Sequence, residues 1–366
     1  MTLRVTRRTF ASLFVAGLAA AALLSIGGCT GLAYYSQSIS GHLAMVRAAR
    51  PVAEVLADSS TTADTRRRLE VALKARQFAS RELHLPDNAS YTRYADLQRP
   101  FVVWNVIATP ALSLTPQTWC FAVAGCVSYR GYFDKTEAER FAADLRAQRL
   151  DVNVAGVPAY STLGKTEWLG GDPLLNTFIR YPEAEVARLI FHELAHQIVY
   201  VAGDTAFNES FAVAVEREGL RRWLALPENA AQRALQESFA TRRTDFLRLL
   251  REARGELVGI YASTQSDTLK LQAKQAALTR LRERYALQKV AWQGFSGYDG
   301  FFAQDLNNAH LAAIATYTEH VAAFERILEE EQRDLPKFFG RVRALAALSS
   351  AERSQHLAAN PAVRTP

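Results

Sequence analysis

The chain has 366 residues, with 43 Lys and Arg against 37 Asp and Glu, a formal charge of +6, and 49% hydrophobic residues. That suits one large globular domain or two modest ones and excludes a disordered or collagen-like chain. The charges are mixed in sign, without a Lys/Arg run or basic-aromatic interleaving, so nucleic acid is not an expected partner.

Residues 1–28 read as an export signal. Arg4, Arg7 and Arg8 precede an acid-free apolar stretch from Leu13 to Ile26, and small residues follow before Cys29. The stretch is short for a membrane span, and "IGGC" resembles the bacterial lipobox, in which the cysteine becomes the lipidated first residue of the mature chain. Cys29 is therefore the expected membrane anchor and residues 29–40 a short tether; an uncleaved single-span anchor is the alternative. "TRRTF" resembles a twin-arginine signal, so both export routes stay open. Either way the domain lies outside the cytoplasm, and Thr30 after the cysteine points, by likeness to Gram-negative lipoproteins, to the periplasmic side of the outer membrane. Removing the signal's three arginines takes the charge from +6 to +3.

The next segments alternate in type. "SSTTADTRRRLEVALKARQFASREL" reads as a helix that Asp64 or Thr65 can cap, with Leu69, Leu73, Phe78 and Leu83 near helical spacing. "RPFVVWNVIAT" and "WCFAVAGCVSYRGYF" are rich in β-branched and aromatic residues, as strands are. In an oxidising compartment Cys120 and Cys126 are expected to close a small disulfide loop; two buried thiols are the alternative. "KTEAERFAADLRAQRL" is a helix with Thr136 and Glu139 at capping-box spacing. "DVNVAGVPAYST" reads as a strand: at an edge, Gly156 and Tyr160 would meet an extended substrate, whereas an internal strand would place Tyr160 in the core. From Pro182 onward the chain is helical, with segments near 229–262 and 267–292 forming an antiparallel hairpin around "STQSD". The tail at 346–366 looks frayed.

The densest chemistry is in "FHELAHQIVY". Leu189, His192, His196 and Val199 are spaced +3, +4, +3, which puts both histidines on one apolar stripe of a helix opened by Pro182, Glu183 and Glu185. Two imidazoles one turn apart can both reach a Zn²⁺ at about 2.0–2.1 Å, while Glu193, displaced around the helix, can reach a water there without being a ligand. The bland alternative is two core histidines and a surface acid. A metzincin would need Gly and His where the chain has Val199 and Ala202, so that class is excluded. "FNESFAVAVEREG" offers Glu209 early in the following helix, with Asn208 as its expected cap and Gly203 as the expected stop of the preceding one.

Here the chain resembles the gluzincins: "NESFA" is similar to the "NEGFA" of aminopeptidase-N-type enzymes, which implies Glu209 as third zinc ligand. Twelve residues separate His196 from Glu209, fewer than in those enzymes, and Glu216, two turns on, is the alternate ligand or the partner that orients a histidine. More widely, "LPDNASY", "WCFAVAGCVSYRGYF", "GVPAYSTLG", "DPLLNTF", "FHELAHQ", "FNESFA" and "LNNAHLAAIATY" resemble the bacterial putative-aminopeptidase lipoprotein family; "KTEWLGGDP" departs from the aromatic-rich segment usual there.

The resemblance implies an α+β, predominantly α-helical, gluzincin-like fold, with a small sheet before the HExxH helix and a long helical hairpin after it. It implies a single zinc-peptidase domain over 41–345, made of N-terminal helices (41–98), sheet (99–164), metal-site helices (182–225) and a helical region (229–345). The implied activity is hydrolysis of peptides by one Zn²⁺ per chain, with His192, His196 and Glu209 as ligands and Glu193 as general base. An aminopeptidase is favoured over an envelope endopeptidase or a catalytically silent zinc-binding lipoprotein. Tyr317 and His310 are candidates to stabilise the transition state, Asn308 to bind substrate, and Glu167, Asp172 or Asp204 to capture a substrate ammonium.

Overall fold

A computed structural model describes residues 29–121, 125–164, 167–315 and 320–358. In chain order these form helix α1 (Cys29–Ala48), strand β1 (Arg50–Pro51), α2 (Ala63–Glu82), β2 (Arg93–Ala95), β3 (Val103–Pro110), β4 (Trp119–Phe121), β5 (Gly125–Val127), β6 (Arg130–Tyr132), α3 (Lys135–Ala147), β7 (Leu150–Val157) and β8 (Leu174–Leu175). Then come α4 (Glu183–Ala195), α5 (Thr205–Ala225), α6 (Ala230–Ala262), α7 (Asp267–Ala291), α8 (Asn308–Ala315), α9 (Val321–Glu330), α10 (Leu335–Ala346) and α11 (Ser350–Ala358), with short helical turns between some of them. Helices dominate and the sheets are small, an α+β arrangement. No helix among the described residues is long and apolar enough to cross a membrane.

Two three-stranded sheets and a hairpin make up the β-structure. β3 is flanked antiparallel by β6 and β7, with Trp104 opposite Tyr132 on one side and Gly156 on the other. β7 is thus an edge strand, as one reading of "GVPAYST" expected, but it ends at Val157. Tyr160 lies beyond it, half-buried against Phe133 and His42. Helices α3 and α8 pack on this sheet, and Trp104, Val106, Ala108, Ala138, Ala142, Leu145 and Val152 fill the layer between sheet and α3.

The largest core surrounds α4, which packs against α2 and α5. Phe178, Phe191, Phe207, Phe211, Phe324 and Phe338 are buried there, each contributing on the order of 2 kcal/mol of apolar transfer free energy. A second cluster, Phe246, Leu249, Leu250, Leu257, Leu278, Leu281 and Tyr285, zips α6 to α7. The long hairpin therefore stands at 230–291, close to its sequence-derived bounds.

Several local expectations are corrected. Residues 29–40 are no tether: they belong to α1, where Gln37 donates to the Gly131 carbonyl and accepts from the Phe133 amide. The tail is not frayed through 358, because α11 buries Leu357 and pairs Arg353 with Asp204 at 2.9 Å. Thr62 caps α2 and Asp134 caps α3, each accepting an amide three residues on, where Asp64 or Thr65 and the Thr136 box were expected. Short polar side chains sit at both sets of positions, and only backbone geometry decides which is the cap.

Cys120 and Cys126 face each other across β4 and β5 and form a disulfide. A ring this small stabilises by about 2 kcal/mol through the unfolded chain. The hairpin docks on the loop between α4 and α5: Gly125 has φ +74, and a Cβ there would stand 2.5 Å from the Gly203 nitrogen. Only glycine allows that approach.

Candidate metal centre

Helix α4 starts at Pro182, whose fixed ring suits a first turn, and buries Val186, Ala187, Ile190, Phe191, Leu194 and Ala195 on the stripe that carries His192. It stops at His196, its C-terminal cap, well before Gly203. Helix α5 begins after Asp204, which accepts from the Phe207 amide; Asn208 is not the cap but clasps the backbone of Val201 through both its amide atoms. That clasp holds the loop so that Glu209 faces α4.

His192, His196 and Glu209 come together. Their nearest ligating atoms lie within 4.8 Å of one another. The two Nε2 atoms are 3.2 Å apart, with Glu209 oxygens 3.3 Å from His192 Nε2 and 3.7 Å from His196 Nε2. Ligands at about 2.0–2.1 Å around a tetrahedral centre would stand about 3.3 Å apart, so these three could hold one metal ion.

Glu216 takes the other side of the first imidazole. Its Oε2 accepts from His192 Nδ1 at 2.9 Å, which leaves the Nε2 lone pair for a cation. Arg188 holds the same oxygen at 2.7 Å and Glu185 at 2.7 Å, and Arg243 of α6 lies 3.7 Å from the second Glu216 oxygen. Burial alone would raise the Glu216 carboxyl, but Arg188 and His192 outweigh it and hold it at about 2. Burial lowers His196 to about 4, so its ring is neutral. Burial also opposes charge on His192, yet Glu209 and Glu216 push that ring up to about 10. A proton and a divalent cation compete for the same carboxylate-lined point.

Glu193 projects beside this group. Burial pushes it up to about 7, with Glu209, Asp172 and Glu216 adding and His192 opposing. A carboxyl near neutrality is suited to move protons at physiological pH.

The other sequence candidates fall differently. Asn308 is fully buried, its amide donating to the carbonyls of Pro110, Ala111 and Ser113 and its oxygen accepting from Tyr261, so it fastens a loop instead of lining a cleft. His310 is buried with its ring nitrogens near Asn307 and Gln304. Gly156 lies in β7, where a Cβ would collide with the Phe101 ring. Asp204 caps α5 and pairs with Arg353. Glu167 accepts from Ala89 and Ser90. Tyr317 and the 1–28 signal lie outside the described residues, as does the side chain of Cys29.

Sequence reading missed Arg188, Arg243, Tyr129 and Tyr91. Arg188 carried a signal, standing one turn before His192 and three residues after Glu185. Burial raises the Tyr129 phenol, and the Glu209 and Glu193 carboxylates add to that. Nothing local in "CVSYRG" shows this.

Asp172 is 1% exposed and accepts from the Thr162 amide and hydroxyl and from Ser161. Burial raises it to about 6 against those donors. A raised carboxyl stabilises the fold fully below its unfolded value of 3.8, and that contribution is lost as pH rises through about 6. Relative to Asp172→Asn, wild type is therefore expected to lose about 2 kcal/mol between pH 4 and pH 7. Denaturant midpoints of both proteins at the two pH values measure it; a pH-independent difference would refute it.

The profile of a family described as putative aminopeptidase matches residues 33–357. The chain belongs to the putative aminopeptidase family. No curated protein and no solved structure matches it. The family match spans α1 to α11, nearly all of the described fold, and its name suggests peptidase activity.

Proposed function

We propose that this putative-aminopeptidase family member is a zinc-dependent peptidase, most readily an aminopeptidase acting on peptides in the periplasm. The observation that carries the reading is the convergence of His192, His196 and Glu209 at tetrahedral ligand spacing, with Glu193 beside them and outside the ligand set. Two imidazoles and a carboxylate are the donor set of an open zinc site, and a structural zinc would have no use for Glu193. When bound, the zinc supplies Lewis acidity to a water and to the scissile carbonyl. Glu193 then takes the proton of the attacking water and delivers it to the leaving amine. Glu216 keeps His192 in the Nδ1–H tautomer, and Arg188 keeps Glu216 ionised.

Aminopeptidase action is favoured over endopeptidase action by two acids. Asp172 and Glu167 have no cation within ion-pair distance among the described residues, and Asp172 adds to the negative potential at Glu193. Such a potential suits a substrate ammonium. The disulfide fits an oxidising compartment, and Cys29 is the first residue of α1, in keeping with an exported lipoprotein.

The test is metal content by mass spectrometry together with hydrolysis of free-amine and amine-blocked peptides. One zinc per chain and cleavage of free-amine peptides only is expected. Equal cleavage of blocked peptides would establish an endopeptidase, and absence of bound zinc would sink the reading.

A further inference from the structure

The disulfide between Cys120 and Cys126 lies at the surface. Both cysteines are exposed, in strands of three residues each that pair with one another and, among the described residues, with no third strand. A two-stranded hairpin is marginal by itself. An exposed disulfide is also open to attack by a thiolate, whereas burial shields one.

The two strands are held differently. Rings pin β4: Trp119 stands 5.9 Å from Phe141 of α3, and Phe121 stands 5.3 Å from Tyr34 of α1, centroid to centroid. β5, made of Gly125, Cys126 and Val127, has no ring to pin it. Val127 is buried and tethers its far end. Its near end is tied to β4 by the disulfide and the strand pairing, and leans on the loop between α4 and α5.

That contact is backbone on backbone. A Cβ on Gly125 would stand 2.5 Å from the Gly203 nitrogen and 2.9 Å from the Ala202 carbonyl carbon, and one on Gly203 would stand 3.7 Å from the Cys126 nitrogen. Both glycines have left-handed backbones, at φ +74 and +82, so the two turns nest with no side chain between them. Beyond Gly203, the Asp204 amide donates to the Val201 carbonyl at 3.2 Å, and Asn208 binds both backbone groups of Val201 at 2.8 Å. Glu209 follows Asn208 directly. A continuous line of packed backbone thus joins the disulfide to one of the three residues that could hold a metal ion.

We propose that Cys120–Cys126 is a thiol–disulfide exchange site, and that a dithiol acting there loosens the loop that presents Glu209 to His192 and His196. A thiolate of the dithiol attacks one sulfur, the S–S bond breaks to give a mixed disulfide, and the second thiol of the reagent displaces the protein's sulfur. The dithiol leaves oxidised, and its two electrons and two protons stay on Cys120 and Cys126 as thiols. β5 then keeps its tether at Val127 but loses its covalent tie to the pinned β4, and its seat on residues 202–203 is no longer fixed. The loosening stands on this geometry alone; its effect on a bound ion rests on the proposed function.

Three measurements on the full-length chain in detergent test this. Dithiothreitol without denaturant, followed by alkylation and mass spectrometry, is expected to open the bond in the folded protein. Hydrogen exchange of the metal-free protein then compares oxidised wild type, reduced and alkylated wild type, and Cys120→Ser/Cys126→Ser. Segment 198–205, which contains the bonded Val201 and Asp204 amides, is expected to exchange about tenfold faster in both disulfide-free forms, with α2 unchanged. Zinc-loaded double variant is expected to release its metal to a chelator about tenfold faster than oxidised wild type. A bond that yields only after unfolding, equal exchange at 198–205, or unchanged release from a protein that does bind zinc would overturn the proposal and leave the disulfide a local staple. Should the double variant not fold, alkylated wild type carries both comparisons alone. Oxidised wild type that binds no zinc would defeat the proposed function instead, and the exchange comparison would still decide the coupling.

Discussion

Glutamine at position 193 is expected to abolish turnover while one metal ion per chain is retained. Glutamine has nearly the volume of glutamate, and Glu193 lies outside the His192, His196 and Glu209 group, so neither packing nor ligation should change. What is lost is the proton acceptor, and removal of a positioned acid-base group lowers kcat by about 10²–10⁴-fold. Metal analysis and single-turnover kinetics on the same preparation separate the two effects. Loss of metal along with activity would mean that Glu193 supports the ligands; full activity would mean that another group moves the proton.

Alanine at position 188 is expected to have the largest effect on stability. Glu216 is 1% exposed, and Arg188 is its close cation at 2.7 Å; Arg243 stands 3.7 Å away and its side chain is 44% exposed. Stripping one partner from a buried pair leaves an uncompensated charge, at a cost of about 3–5 kcal/mol. Metal affinity should fall about 10–100-fold as well, because His192 loses the ionised partner that fixes its tautomer. Denaturant titration and zinc competition with a chelator measure both. Arg188→Ala combined with Glu216→Gln should recover part of the stability, since the orphaned charge goes with it. No recovery would show that the Arg188 stem matters through packing.

How far the sequence was legible depends on the range of the interaction. The histidine pair was visible because its function follows from helix periodicity, and the α6–α7 hairpin because its turn residues interrupt a long helical pattern. Caps were less visible: Thr62, Asp134 and Asp204 compete with equally suitable neighbours two to four residues away. Glu216 could be placed near the candidate metal group but not assigned a role, since its choice between ligand and histidine partner turns on where Arg188 and Arg243 sit. Tyr91 and Tyr129 were invisible, because a phenol far along the chain announces nothing about the carboxylates that raise it. Asn308 shows the reverse case, a family-like segment whose side chain fastens backbone.

The three residues that could hold a metal ion span only residues 192–209, on two helices joined by a short loop. Closing so brief a segment costs little chain entropy. Of the charges acting on the Glu193 carboxylate, Asp172 arrives instead from outside that segment. On the proposed function, holding the ion and using it are therefore separable: a lesion at Asp172 is expected to spare the bound metal while costing turnover.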